Sequence, residues 1–269
     1  MKRRDFLTAS AALSASMMLP RFAMAAAAPM ITVRPAPAMA PLMGVGKPET
    51  AVWAYGKSVP GPVIRIPRAK PVYIRLENGL EQATTVHWHG IRLENAMDGV
   101  PGFTQSAVAP GAAFDYRFTA PDAGTYWYHS HEKSWEQVAR GLYGPLIVEE
   151  DTPVAVDTEH MFIVDDWRLG DDGAIAQDMG ALRDAAHGGR LGNWLTVNGL
   201  TAPKLAVRPG TRLRLRCISA ANARIMAFRF PGVAVHVIAV DGQPLAAPET
   251  LEDALLLAPA QRTDLVIDI

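Results

Sequence analysis

The chain has 269 residues, 49% of them hydrophobic and 20% charged, a globular composition that excludes fibrous and disordered classes and is long enough for two domains. The formal net charge is −1; without residues 1–25, which carry Lys2, Arg3, Arg4, Arg21 and Asp5, 22 basic side chains stand against 26 acidic ones, which argues against nucleic acid as the main partner. One cysteine excludes an internal disulfide framework and any zinc site built on two or more thiolates, leaving seven histidines as the ligating residues to follow.

Residues 1–25 read as a twin-arginine signal peptide. Lys2-Arg3-Arg4-Asp5-Phe6-Leu7 is the basic start, Ala9 to Leu19 the apolar middle and Ala23-Met24-Ala25 the small-residue cleavage site. Export to the periplasm in folded form is expected. The apolar run is too short to cross a bilayer, and no other stretch approaches about 20 apolar residues, so no membrane anchor is expected. Residues 26–45, rich in Ala, Pro and Met, read as a leader to the first domain. Met30, Met39 and Met43 offer thioethers to cuprous copper, although unstructured composition bias is the better account of them.

From there the chain reads as short strands punctuated by Pro and Gly. Val63-Ile64-Arg65-Ile66, Val72-Tyr73-Ile74-Arg75-Leu76, Leu213-Arg214-Leu215-Arg216 and Val233-Ala234-Val235-His236-Val237 alternate with period two, which predicts sheet with one buried face. Short helices are expected within Ser134 to Leu142 and Asp178 to Ala186. His87-Trp88-His89 falls where strand is expected, so both imidazoles project to one face and Trp88 to the other. His129-Ser130-His131 repeats the device after Tyr126-Trp127-Tyr128. A single such pair is a weak signal; two within one unit predict four imidazole nitrogens converging on a metal, which ligand type alone leaves open among Cu, Zn, Fe and Ni.

An internal repeat organises the chain. Setting Pro62 against Pro203 pairs Ile64 with Leu205, Ile66 with Val207, Val72 with Leu213, Ile74 with Leu215 and Leu76 with Cys217. Asp98-Gly99-Val100-Pro101 then matches Asp241-Gly242-Gln243-Pro244, and Ala109-Pro110, Asp115 and Phe118 match Ala258-Pro259, Asp264 and Ile267. The repeat predicts two β-sandwiches, residues 46–150 and 158–269, joined by 151–157. The first copy runs 32 residues past Phe118, to Glu150, and holds its closing strands there, whereas the second stops two residues after Ile267. The expectation is a second sandwich incomplete at its C-terminus, in a piece of a longer protein. Phe228 and Phe230 stand at the positions of His87 and His89, so the second copy is expected to pack where the first coordinates and to act as a spacer.

Four segments together resemble the first domain of multicopper oxidases, the laccase-like enzymes. They are Thr85-Val86-His87-Trp88-His89-Gly90, Asp98-Gly99-Val100-Pro101-Gly102-Phe103-Thr104-Gln105, Gly124-Thr125-Tyr126-Trp127-Tyr128-His129-Ser130-His131 and Gly141-Leu142-Tyr143-Gly144-Pro145-Leu146-Ile147-Val148. Leu200 to Ile269 resembles the family's second, copper-free domain. The resemblance implies an all-β fold of two tandem cupredoxin-like Greek-key sandwiches. Carried over by position, it makes His87 a type 2 copper ligand and His89, His129 and His131 type 3 ligands. Asp98 resembles the acidic residue that supplies protons near the trinuclear cluster in bacterial members; as a plain turn residue before Gly99 it reads equally well.

The family pattern also needs further histidines and a His-Cys-His strand for type 1 copper, in a third, C-terminal domain that this sequence does not contain. Cys217, between Arg216 and Ile218 at the repeat position of Leu76, reads as a core thiol, and His160, His187 and His236 read as isolated residues. The implied activity of the complete protein is one-electron oxidation of a small reducing substrate, phenol-like or a metal ion, coupled to four-electron reduction of dioxygen to water. This chain would contribute half of the trinuclear cluster and would not turn over alone. The alternative is a copper-free periplasmic scaffold of the same fold, of the cell-division type; the four histidines speak against it. A two-domain copper nitrite reductase would need a His-Cys pair in the first copy, and there is none.

Overall fold

Along β5 (Pro71–Glu77) the side chains of Val72, Ile74 and Leu76 are buried and those between them are half-buried or exposed, as period two dictates. This is a computed structural model describing residues 30–269; the signal-peptide reading of residues 1–25 lies outside the described residues. The first unit comprises β1 (Ile31–Val33), β2 (Pro35–Ala40), β3 (Thr50–Tyr55), β4 (Ile64–Pro67), β5, β6 (His87–His89), β7 (Ala113–Thr119), β8 (Gly124–His129) and β9 (Tyr143–Glu149). Its sheet β1-β5-β7 packs on the sheet β4-β9-β8-β6, and Ile66, Ile74, Leu76, Trp88, Tyr116 and Tyr128 fill the space between.

The second unit repeats the plan with β10 (Thr158–Trp167), β11 (Trp194–Val197), β12 (Arg212–Ser219), β13 (Met226–Phe228), β14 (Ala234–Val240), β15 (Gln243–Thr250), β16 (Leu255–Leu257) and β17 (Arg262–Asp268). In the first unit β1 pairs with β5 in parallel and β5 with β7 antiparallel. In the second, β10 pairs with β12 in parallel and β12 with β17 antiparallel. The offset read from the sequence is therefore a structural equivalence: Leu213, Leu215 and the fully buried Cys217 occupy the core positions of Val72, Ile74 and Leu76. Phe228 and Phe230 pack against that core, Phe228 edge-on to Phe162. The counterpart of β4 around Leu205 is not a strand, and Leu205 is exposed. Short helices lie within both expected segments, α1 (Ser134–Gln137) and α2 (Leu182–Ala186), and among the described residues no helix is long and apolar enough to cross a membrane.

Two expectations are corrected. Within the leader expected over residues 26–45, the residues from Ile31 to Ala40 are folded: β1 pairs with β5, Ile31 against Ile74, and β2 pairs with β3 from Pro35–Tyr55 to Ala40–Thr50. Ala and Pro have little intrinsic strand preference, and Pro is tolerated where no ladder donor is needed, so composition concealed a strand that the neighbouring sheet imposes. Met30 and Met39 are exposed there.

The second correction concerns the polar face of β12. Arg214 and Arg216, which alternate with Leu213 and Leu215 as a solvent face would, are 3% and 2% exposed. They point into the first unit. Arg214 donates to both oxygens of Glu150, at 2.8 and 2.6 Å, and to Asp264 at 2.6 Å. Arg216 donates to Thr125 at 2.7 Å and to Asp264 at 3.1 Å, and Thr125 in turn donates to Asp264 at 2.6 Å. Beside this polar latch, Trp127, Tyr143, Trp167 and Ile218 form an apolar seam. Strand β8 is consequently buried on both faces along its whole length, which explains its unbroken aromatic run.

Removing one member of a buried ionic cluster strands the others, at a cost of about 3–5 kcal/mol. Asp264→Ala is expected to lower stability by about that amount in chemical denaturation; an unchanged denaturation midpoint would show that the latch is solvated.

Candidate metal centre

β6 and β8 are antiparallel neighbours in one sheet, with His87 opposite His129, Trp88 opposite Tyr128 and His89 opposite Trp127. Trp88, Tyr126 and Tyr128 enter the first core, so alternation turns His87, His89, Trp127 and His129 to the opposite face, against the second unit. His131 lies two residues beyond His129, past the strand end. The two doublets therefore meet side by side in one sheet.

Ring centroids of His87 lie 5.6 Å from His89, 5.2 Å from His129 and 5.2 Å from His131. His89 and His129 are 5.5 Å apart, and His129 and His131 6.2 Å. Nitrogens of His87, His89 and His129 all lie within 4.8 Å of one another; His131 joins the cluster through its ring contacts and is not one of that closest trio.

Hydrogen bonds select which nitrogens remain bare. His87 Nδ1 donates to the carbonyl oxygen of Asp98 at 2.8 Å, and His129 Nδ1 to that of Ser130 at 2.9 Å. A carbonyl accepts only, so both rings carry the proton on Nδ1 and leave Nε2 unprotonated. His89 Nδ1 faces His129 Nε2 at 3.3 Å. Backbone carbonyls on the far nitrogens are the usual supports of metal-ligating imidazoles. The donor set thus fits a metal that favours nitrogen ligands.

Burial keeps these rings neutral. It pushes His89 down to about 3, with the positive charge of Arg262 adding to the effect. It also lowers His87, against the opposing pull of Asp98, and puts His129 well below the ordinary imidazole value.

Asp98 reaches His87 twice. Its carboxylate Oδ1 lies 3.2 Å from the same Nδ1 that bonds its carbonyl. A 3₁₀ turn, Asn95–Met97, ends on Asp98, and Gly99 follows at φ +77°, where a Cβ would sit 1.8 Å from the carbonyl oxygen of Val86. Only glycine lets the turn press this closely on the chain entering β6. The repeat turn at Asp241-Gly242 makes the same two-pronged grip on a different residue: the Asp241 carbonyl and Oδ1 both take Arg262, each at 3.0 Å.

Arg262 is the functional residue that sequence reasoning missed. Its Nη2 stands 2.3 Å from the position a Cβ would take on Gly90, the residue after His89. Pro259, Ala260 and Ala220 to Asn222 line the same cleft of about 340 Å³. The second unit is therefore more than the spacer expected: it forms one wall of the centre. Trp127, also not singled out, stacks 4.2 Å from His129 and 5.1 Å from His89. Among the remaining candidates, His160 and His236 are half-buried on β10 and β14, His187 is exposed, and none belongs to the cluster. Burial pushes the Cys217 thiol up, as befits a core residue.

The chain around this centre is similar to known proteins. Residues 39–153 and 159–269 each match a family model described as multicopper oxidase. The chain is 32% identical to copper resistance protein A of Pseudomonas syringae pv. tomato over 85% of its length, covering 44% of that protein. It is 33% identical to multicopper oxidase MmcO of Mycobacterium tuberculosis over 88% of its length, covering 51% of that protein. The crystal structure of a multi-copper oxidase from Pseudomonas thermotolerans superposes with a TM-score of 0.84 at 37% identity, over 90% of this chain and 58% of that one. The chain thus spans about half the length of the curated relatives it matches.

Two outcomes are expected of the metal-free protein. An unfolded imidazole titrates near 6.5, above the folded values, so the unfolded chain binds more protons as pH falls and the stabilisation present above about pH 6.5 drains away toward pH 3. The buried Asp165, whose carboxyl burial raises, acts in the opposite sense. The stability difference between wild type and His129→Leu should therefore shrink from pH 7.5 to pH 5; a constant difference contradicts the burial argument. Gly90→Ala drives a methyl group into Arg262 and should cost about 1–3 kcal/mol by denaturation, where a neutral result would mean that the two do not touch.

Proposed function

This chain belongs to the multicopper oxidase family, and on that premise we propose that it is the N-terminal part of an exported oxidase. The enzyme couples one-electron oxidation of a small reducing substrate, phenol-like or a metal ion, to four-electron reduction of dioxygen to water. The observation that carries the reading is the convergence of the neutral imidazoles of His87, His89 and His129, with His131 beside them, in a cleft between two sandwiches. Divalent copper tops the affinity series for nitrogen ligands and cycles between two oxidation states, which is the chemistry it would supply here. A copper-free scaffold gains nothing from gathering four imidazoles in one cleft.

His87 is assigned to type 2 copper and His89, His129 and His131 to type 3, the remaining ligands coming from a C-terminal domain. The carbonyls of Asp98 and Ser130 orient His87 and His129 and leave Nε2 of each free to ligate. The Asp98 carboxylate, 31% exposed and touching His87, connects the centre to solvent and is placed to hold and pass a proton. Arg262 keeps a fixed positive charge beside His89. Periplasmic export through the twin-arginine start completes the reading.

Titration of the chain with cupric ion, followed by electron paramagnetic resonance, tests it. Wild type and His187→Ala are expected to bind with the same nitrogen-rich spectrum, and His129→Ala to lose that spectrum or bind fewer ions. Identical spectra and stoichiometry for His129→Ala would overturn the ligand assignment.

A further inference from the structure

One side chain outside the cluster touches the supports of both histidine doublets. Gln137, at the end of α1, is fully buried, as are Ser130 and Thr84. Its Oε1 accepts from Ser130 Oγ at 2.5 Å and from Thr84 Oγ1 at 2.8 Å, while its Nε2 donates to the carbonyl of Ala83 at 2.9 Å. Ser130 lies between His129 and His131, and its carbonyl is the acceptor that fixes the His129 proton. Ala83 and Thr84 belong to the segment that leads into His87.

The backbone holds Gln137 in place for this contact. Lys133 adopts φ +43°, and its carbonyl accepts from the amide of Gln137 at 2.9 Å. The carbonyl of Gln137 accepts from Leu142 N at 3.1 Å, and that of Leu142 from Ser130 N at 3.1 Å. The loop after His131 is thereby closed on itself, and the Gln137 amide bolts the closed loop to the other strand. Both lone pairs of Oε1 are in use and Nε2 is anchored on Ala83, and a paired buried polar network of this kind favours one arrangement.

We propose that Gln137 is a positioning residue: through Ser130 and Thr84 it sets His129 and His131 against His87 and His89 in the geometry a shared metal requires. The proposal rests on the copper reading above and adds to it a residue that makes no contact with the ligands themselves. Met has nearly the length of Gln and no acceptor, so Gln137→Met strands two buried hydroxyls, whereas Gln137→Glu keeps an acceptor oxygen in place.

The test uses the full chain, metal-free, with ¹⁵N-labelled histidine side chains, and a second arm with cupric ion. In wild type His129 should report the Nδ1–H tautomer. Gln137→Met is expected to shift or broaden the His129 and His131 imidazole signals while His160 and His236 stay fixed, and Gln137→Glu to restore them. A folded Gln137→Met with wild-type signals, or a Gln137→Glu as perturbed as Gln137→Met, overturns the proposal. Should Gln137→Met not fold, Ser130→Ala carries the same expectation and the same failure. In the second arm Gln137→Met should bind cupric ion about 10–100-fold more weakly, the range for outer partners of metal ligands; equal affinity in variant and wild type overturns the positioning role. A wild type that takes up no copper overturns the copper reading instead, and the metal-free arm still decides on Gln137.

Discussion

Pairing of β6 with β8 brings the histidines together, and the second sandwich closing over that sheet gives them their chemistry. On an open sheet face, His87 and His129 would be surface imidazoles titrating near 6.5. Covered by the loops at Ala220 to Asn222 and at Pro259 and Ala260, they are dehydrated and neutral. Dehydration would be costly if any ring had to carry charge, so the fold supplies carbonyl acceptors for the far nitrogens of His87 and His129 and leaves the near ones bare. The polar latch of Arg214, Arg216, Asp264 and Thr125 serves the same end, because it fixes the second unit against the strand that carries His129.

The duplicated architecture shows how one turn serves two purposes. In both units an Asp-Gly pair offers its carbonyl and carboxylate together to a nitrogen donor. In the first the donor is His87, in the histidine cluster; in the second it is Arg262, whose guanidinium abuts the residue after His89. The second copy carries Phe228 and Phe230 where the first carries imidazoles, yet its turn holds the arginine at the edge of the first copy's centre.

Much of this was legible in the sequence because it rests on short-range rules. Period-two alternation placed β5, β12 and β14, and two-residue spacing put the paired imidazoles on one face with Trp88 on the other. The apolar phase of the repeat is enough to assign Cys217 to the core. Other features depend on what covers a face, which a local pattern cannot report. Arg214 and Arg216 alternate as solvent residues do, and only the apposed first unit makes them buried. Arg262 sits well over a hundred residues from His89, and an Ala-Pro-rich segment such as Pro35–Ala40 becomes strand only because β3 offers it a partner. Gln137 gave no signal either, since two of its three side-chain hydrogen bonds reach Thr84 and Ala83, 53 and 54 residues back in the chain.

The most direct measurement is anomalous diffraction at the copper absorption edge from crystals of the full chain soaked in cupric ion. The strongest anomalous peak is expected in the cleft bounded by His87, His89, His129 and His131, with Nε2 of His87 and of His129 directed at metal. A peak at the exposed methionines Met30 and Met39 with none in the cleft, or imidazole rings turned away from one another, would contradict it.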